Sequence, residues 1–362
     1  MKNRRILLLA PFPPPVGGDT VMALNLRESG YWEKHGIILD SIDTSPGGTV
    51  RLPERRLAAG DVARGLRILS RVVRKSPGKD AIVLWANSRF ICTIGLSVIL
   101  HAVVMGKPVV VKPFGAFLAK RLAGYTRFWR SLVAGILRKA RYILPETRAM
   151  ERELIDEAGF EQSRIVCFPN FLPDRSFQES YEKKVFSGNC VFAGQIKREK
   201  GVFDIIAALS GRSDLSCDFY GPLVERDERE FHELVSKHDN LSYRGLIKPE
   251  FVAGTIARYD ALLLPSYHIG EGYPAVVLQA FAAGVPVIAS NWKSIPEIVE
   301  DGVRGLLVPP ESPGAIVKAL DLLAADGRLY DSIAANAFTY VGAFSEQATV
   351  EEILISKIID SL

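Results

Sequence analysis

At 362 residues and 48% hydrophobic, the chain is long enough for two domains of ordinary size, each with its own core, and its composition excludes a disordered or fibrous protein. A net charge of only +4 conceals an asymmetry: residues 1–175 hold 28 Lys and Arg against 15 Asp and Glu, and the remainder 17 against 26. A basic half beside an acidic half suggests one domain facing a polyanion, with membrane phospholipid or nucleic acid as the leading candidates.

In chain order, Arg4–Ala10 reads as a first buried strand, and the PFPPPVGG that follows is too rich in proline to extend it. Gly17 and Gly18 then precede a helical stretch from Thr20 to Leu26. Further strands are expected at Ile37 to Ile42, Ala81 to Trp85, Pro108 to Lys112, Tyr142 to Leu144 and Arg164 to Phe168, with helix-length segments between most of them. Arg64, Arg67, Arg71 and Arg74 recur at spacings of three, four and three along one face of a helix, while Leu66, Leu69 and Val73 line another. The longest apolar run, Ile91 to Val111, is broken by His101 and by Gly106-Lys107-Pro108, so it parses as helix, turn and strand, and no transmembrane helix is expected.

From Lys120 to Arg141, basic residues including Arg127 and Arg130 interleave with Tyr125, Phe128 and Trp129, a mixture suited to a membrane surface. Each cation close to anionic lipid is worth about 1 kcal/mol. Nucleic acid is the weaker candidate, because no recognition module accompanies the charge. Cys92, Cys167, Cys190 and Cys217 lie far apart without metal-ligand spacing, the histidines form no metal cluster, and no leader precedes the first strand, which fits a reducing cytosol.

After an irregular stretch from Asn170 to Gly188 the alternation restarts, with strands expected at Asn189 to Ala193, Ser216 to Tyr220, Leu241 to Arg244, Ala261 to Leu264, Pro286 to Ala289 and Gly305 to Val308. Two doubly wound α/β domains joined near residue 180 account for this pattern, with a ligand cleft at the carboxyl ends of the strands facing the partner domain. Gln347 to Ile359 has helical apolar spacing and no following strand.

Two loops carry the chemistry. Val191 to Gly201, VFAGQIKREKG, ends a strand in a glycine loop and continues into a helix from Val202 to Leu209. Ser266 to Ser290 couples Gly270, Glu271 and Gly272 to a helix that Pro274 opens at its first position, that runs to Gly284, and that leads to a buried strand at Val285 to Ala289. The start of such a helix presents free amides and about half a positive charge, which favours a phosphate.

These loops resemble the nucleotide-binding signature of family 4 retaining glycosyltransferases, of the glycosyl transferases group 1 and the GT-B fold. There a Glu precedes the helix and a second Glu follows eight positions later; Glu271 matches the first, and Gln279 stands at the second. Relatives typically read G-R-x4-K-G at the earlier loop; Gly194 and Lys200-Gly201 match, and Gln195 stands in place of the Arg, with Lys197 or Arg198 as substitutes for its charge. Many relatives carry a His-Gly after the strand that here ends in Lys112-Pro113-Phe114-Gly115, so no histidine sits at that place; His268 is the loop histidine nearest in sequence to Glu271.

The resemblance implies two Rossmann-like doubly wound domains around a central cleft: an acceptor domain at 1–175, a nucleotide-sugar donor domain at 185–344, and a segment at about 345–362 crossing back to the first. It implies catalytic roles for Glu271 and Lys200, and donor contacts from Gly17, Gly18, Gly194, Gln195, Lys200, Glu271, Gly272, Tyr273 and Gln279. Arg64, Arg67, Arg71, Arg74, Arg127, Trp129 and Arg130 would form the membrane or acceptor face. The function implied is retaining transfer of a sugar from a nucleoside diphosphate donor to a glycan, lipid-linked, in surface polysaccharide assembly. Neither metal nor cofactor is expected, and the location implied is the inner face of the cell membrane. Two other readings stand beside it: a nucleotide-sugar epimerase, which needs ionisable groups poised on the sugar and finds no obvious set, and a non-catalytic binding partner, suggested by Gln195, Gln279 and the missing His.

Overall fold

Runs of Val, Ile and Leu without polar alternation become parallel strands buried on both faces, and they do so twice in the computed structural model, which describes residues 3–45, 59–115, 117–178 and 180–362. The chain divides into two units, Met1–Asn170 with Glu346–Leu362, and Phe171–Ser345. No helix among the described residues is long and apolar enough to cross a membrane.

The first unit holds β1 (Arg4–Ala10), β2 (Ile37–Asp43), β3 (Ala81–Asn87), β4 (Val109–Phe114) and β5 (Tyr142–Ile143), all parallel, in the order β2-β1-β3-β4-β5. Its longer helices are α1 (Gly18–Arg27), α2 (Ala59–Lys75), α3 (Leu96–Val104) and α4 (Arg127–Leu137). The steps from β2 to β3, β3 to β4 and β4 to β5 all run the same way along the sheet, so right-handed crossovers put α2, α3 and α4 on one face and α1 on the other. In agreement, α2 packs on α3 and α3 on α4. The segment Gln347–Ile358, wound as a π-helix, returns to this unit, buries Val350, Leu354, Ile355 and Ile358, and packs against the short helix Tyr31–Lys34.

One expected strand is not formed. Arg164 to Phe168 is not a strand but a single parallel bridge between Ile165 and Ile143. Val166 N–H still bonds Ile143 O at 3.1 Å and Phe168 N–H bonds Pro145 O at 2.8 Å, but Pro145 has no N–H to return, and the ladder stops. On α2, Leu66 and Val73 are exposed, and Ile68 and Val72 are the residues that enter the core, with Leu69 packed at its margin.

The second unit holds β6 (Asn189–Ala193), β7 (Ser216–Tyr220), β8 (Leu241–Gly245), β9 (Ala261–Leu264), β10 (Val287–Ser290) and β11 (Leu306–Val308), parallel throughout, in the order β11-β10-β9-β6-β7-β8. Around it lie α5 (Val202–Leu209), α6 (Glu225–Val235), α7 (Ala275–Ala282), α8 (Pro313–Ala325) and α9 (Gly327–Tyr340). Pro274 is the N-cap of α7 rather than its first residue, and the helix stops at Ala282, two positions before Gly284 takes a left-handed φ of 61°. In each sheet the winding direction reverses beside the first strand, between β1 and β3 and between β6 and β9. In doubly wound sheets a ligand crevice opens at the carboxyl ends of the strands at such a reversal.

Candidate functional site

The reversal in the second unit sets the loop after β6 beside the loop after β9, and these are the two loops singled out in the sequence. Leaving β6, Gly194 donates its N–H to Tyr220 O at 2.9 Å. A Cβ on Gly221 would lie 1.8 Å from Gly194 O, so the chain crosses itself here only because residue 221 is glycine. Ile196 then buries and bridges Leu223, leaving Gln195 exposed between them. A 3-10 turn, Arg198–Lys200, ends in Gly201 at φ 76°, where a Cβ would sit 2.3 Å from Pro265 O. That close approach of α5's start to the end of β9 brings Lys200 to Glu271.

Lys200 Nζ donates to Glu271 Oε1 at 2.8 Å and to Oε2 at 2.7 Å, and Ser266 Oγ donates to Oε2 at 2.6 Å. Glu271 is 5% exposed and Ser266 fully buried. Burial works to raise the Glu271 carboxyl, but the Lys200 ammonium and the Ser266 hydroxyl outweigh it and hold it below the usual carboxylate range. The loop between is braced by Glu271 N–H on His268 O at 3.1 Å and Trp292 Nε1–H on the same oxygen at 3.0 Å.

Lys197 Nζ lies 3.3 Å from His268 Nδ1. Burial, then the like charges of Lys197 and Lys200, lower His268 to about 4, so at neutral pH the ring is uncharged and accepts at Nδ1. Burial, followed by Lys200, also holds the Lys197 ammonium below the ordinary lysine range. Two ammoniums beside one carboxylate give this inner group a formal charge of +1, offset in part by Glu199, whose charge acts on both Lys197 and His268. The surrounding charges are tied elsewhere: Arg226 to Glu199 at 2.6 Å and to Asp227 at 3.1 Å, and Arg198 to Glu230 while stacked 4.2 Å over Phe203. Of the two substitutes for an Arg at position 195, only Lys197 therefore turns inward.

The other expected residues are placed as follows. Gly272 is buried in the loop, and Tyr273 is turned into the core, with its hydroxyl on Glu297 Oε2 at 2.8 Å and its ring edge-on to Phe344 at 5.9 Å. Gln279 lies half-buried on α7, and neither it nor Gln195 makes a side-chain hydrogen bond with the described residues. Gly17 and Gly18 belong to the first unit, at the reversal between β1 and β3. Gly17 is the extended N-cap of α1, its N–H bonded to Thr20 Oγ1 at 3.0 Å, and a Cβ on Gly18 would meet nothing within 4 Å.

Sequence reasoning passed over Ser266, which shares the Glu271 carboxylate, and Gly221, whose need appears only when β6 and β7 are paired. It also used Lys112 only to mark an absent histidine. Lys112 is 1% exposed, 3.4 Å from Glu146, and lies 5.4 Å from the Trp85 ring centre and 5.7 Å from that of Phe168. Burial lowers Lys112 and raises Glu146, pushing both toward neutrality against their mutual attraction.

Two Rossmann-like α/β domains in one chain, the second with a cluster of charged residues at its strand reversal, give the chain the GT-B fold. The Anabaena protein Alr3699/HepE, solved in complex with UDP and glucose, superposes with a TM-score of 0.74 over 99% of both chains at 15% identity, which shows the shared fold. Residues 175–340, most of the second unit, match the family model described as "Glycosyl transferases group 1". It is 26% identical over 224 residues to a D-inositol 3-phosphate glycosyltransferase of Paenarthrobacter aurescens, covering 57% of this chain and 54% of that one. It is also 26% identical over 205 residues to the O-antigen chain mannosyltransferase B of Escherichia coli, covering 50% of each. The matches thus span about half the length of these curated relatives.

Proposed function

We propose that this chain is a glycosyltransferase that moves a sugar, with retention, from a nucleoside diphosphate donor to a lipid-linked glycan in surface polysaccharide assembly, peripherally at the inner face of the cell membrane. The observation that carries the reading is the buried Lys200–Glu271 pair at the reversal between β6 and β9, with the second ammonium of Lys197 beside it on His268. A diphosphate is the ligand that such a group attracts, and the amides opening α7 add to the attraction. The relatives named above and the UDP-bound Anabaena structure support the same donor class.

In the proposed step the bond from sugar C1 to the diphosphate oxygen breaks, the acceptor oxygen bonds to C1 on the same face, and the acceptor's proton passes to the leaving phosphate. Lys200 and Lys197 stabilise the charge that develops on that phosphate, in place of a metal ion. Glu271 accepts from donor-sugar hydroxyls, and Gln279 bonds the ribose. Gly17 and Gly18 complete the proposed donor contacts.

The test is incubation with candidate nucleotide sugars and membrane lipid extract, with and without EDTA, following nucleoside diphosphate release. Acceptor-dependent release that survives chelation is expected. Sugar isomerisation without release would establish an epimerase, and donor binding without turnover a non-catalytic partner; either result overturns the proposal.

A further inference from the structure

The crossovers of the first sheet bring together three segments that the sequence keeps apart. α2, α3 and α4, of 17, 9 and 11 residues, form one layer, and their outward side is unusually apolar. Of the eighteen large hydrophobic residues exposed among the described residues, ten lie on these helices or on Met105, which caps α3. Val104 is 84% exposed, Phe128 71%, Leu66 61% and Trp129 55%. Leu66 and Val73, spaced to serve a core, point outward beside the exposed Arg67, Arg71 and Arg74. Scattered surface hydrophobics are ordinary, but a contiguous layer of them marks a binding face.

The charge on that layer decides what binds. Lys75 extends the arginines of α2, which face a single acid on that helix, Asp61. Neither α3 nor α4 carries any Asp or Glu, while Lys107 follows α3, and Arg127 and Arg130 lie on α4. Apolar side chains rimmed by cations complement a leaflet that is apolar within and anionic at its surface. A folded protein partner would more commonly meet both signs of charge across a polar rim.

We propose that the α2–α3–α4 layer is a membrane-docking face that lies flat on an anionic bilayer, with Phe128, Trp129, Leu132 and Val104 entering the headgroup boundary and the α2 arginines on lipid phosphates. The inference rests on the proposed use of a lipid-linked acceptor for its purpose, but not for its test. Insertion distinguishes it from a purely electrostatic contact, which would need only the cations.

The full chain is sedimented with phosphatidylcholine vesicles containing a third phosphatidylglycerol, and with phosphatidylcholine alone, while Trp129 fluorescence is followed against a Trp129→Phe control. Binding confined to anionic vesicles is expected, with a blue shift absent from the control. The double variant Phe128→Ser/Val104→Ser should lose about tenfold or more in partitioning, and each of Arg67→Gln and Arg71→Gln about fivefold. The serine variant should keep its unfolding temperature and its turnover on a detergent-solubilised acceptor. Binding by this variant equal to wild type, no binding to anionic vesicles, or concentration-dependent self-association through Phe128 without vesicle binding would each overturn the proposal. Loss of turnover with vesicle binding intact would instead count against the transferase reading alone.

Discussion

Glu271 and Lys200 hold each other in a site where neither can be removed without exposing the other's charge to a poor environment. Glu271→Ala should abolish turnover and destabilise the chain by about 3 kcal/mol, because it leaves an ammonium largely buried and unpaired. Glu271→Leu combined with Lys200→Met should regain most of that stability and none of the turnover. Urea unfolding beside donor assays reads both, and a double variant no more stable than the single would show that the pair is not the structural unit described. The acid limit follows from the same loop. His268 is lowered to about 4 from an ordinary 6.5, so between these values the unfolded chain takes up a proton that the native one refuses, and stability falls as pH falls through that window. Glu271, also depressed, adds a second loss as pH drops below its ordinary 4.5. His268→Asn should flatten the unfolding free energy between pH 6.5 and 4 and leave the lower limb; an unchanged slope would place the proton elsewhere. The pairing of Glu271 with Lys200 was half legible in the sequence, where each residue stood in a glycine frame. Their contact, and the turning of Tyr273 into the core, depend on strand order, which local spacing does not encode.

At the level of the element, two glycines that look alike in the sequence do different work. Gly201 takes a left-handed φ with Pro265 O where a Cβ would go, so Gly201→Ala should destabilise the chain by about 2–4 kcal/mol and spoil the approach of Lys200 to Glu271. Gly18 opens α1 with free space around it, and Gly18→Ala should stabilise by up to about 1 kcal/mol. As a proposed donor contact, Gly18 should nonetheless cost turnover when replaced, measured beside the thermal midpoint; unimpaired activity would remove Gly18 from the donor set. Strands were read closely, β1, β6 and β9 from apolar runs and β7 from its alternation, all four to the residue. Where reading failed, the cause is specific: Pro145 withholds the N–H that Arg164 to Phe168 needed. On α2, Leu66 and Val73 share a face and are exposed, while Ile68 and Val72 enter the core. Spacing shows that residues share a stripe and is silent on which stripe the sheet covers.

For the whole molecule, the alternation of strand and helix and its restart after residue 188 made the doubly wound architecture legible, since parallel strands need crossover helices and leave a period that survives without any alignment. The charge asymmetry was equally plain, but its meaning was not, because composition cannot say that α2, α3 and α4 share one side of a sheet. The return of Gln347–Ile358 to the first unit has a different kind of consequence. Its buried Val350, Leu354, Ile355 and Ile358, and the Glu351 carboxylate 2.8 Å from Lys34, complete a structure whose other parts emerged from the ribosome more than 170 residues earlier. The nascent chain must therefore carry an unfinished first unit while the whole second unit is being synthesised, and vectorial folding, which ordinarily favours the amino-terminal domain, is here reversed. The portion translated first is thus the last that can be sealed.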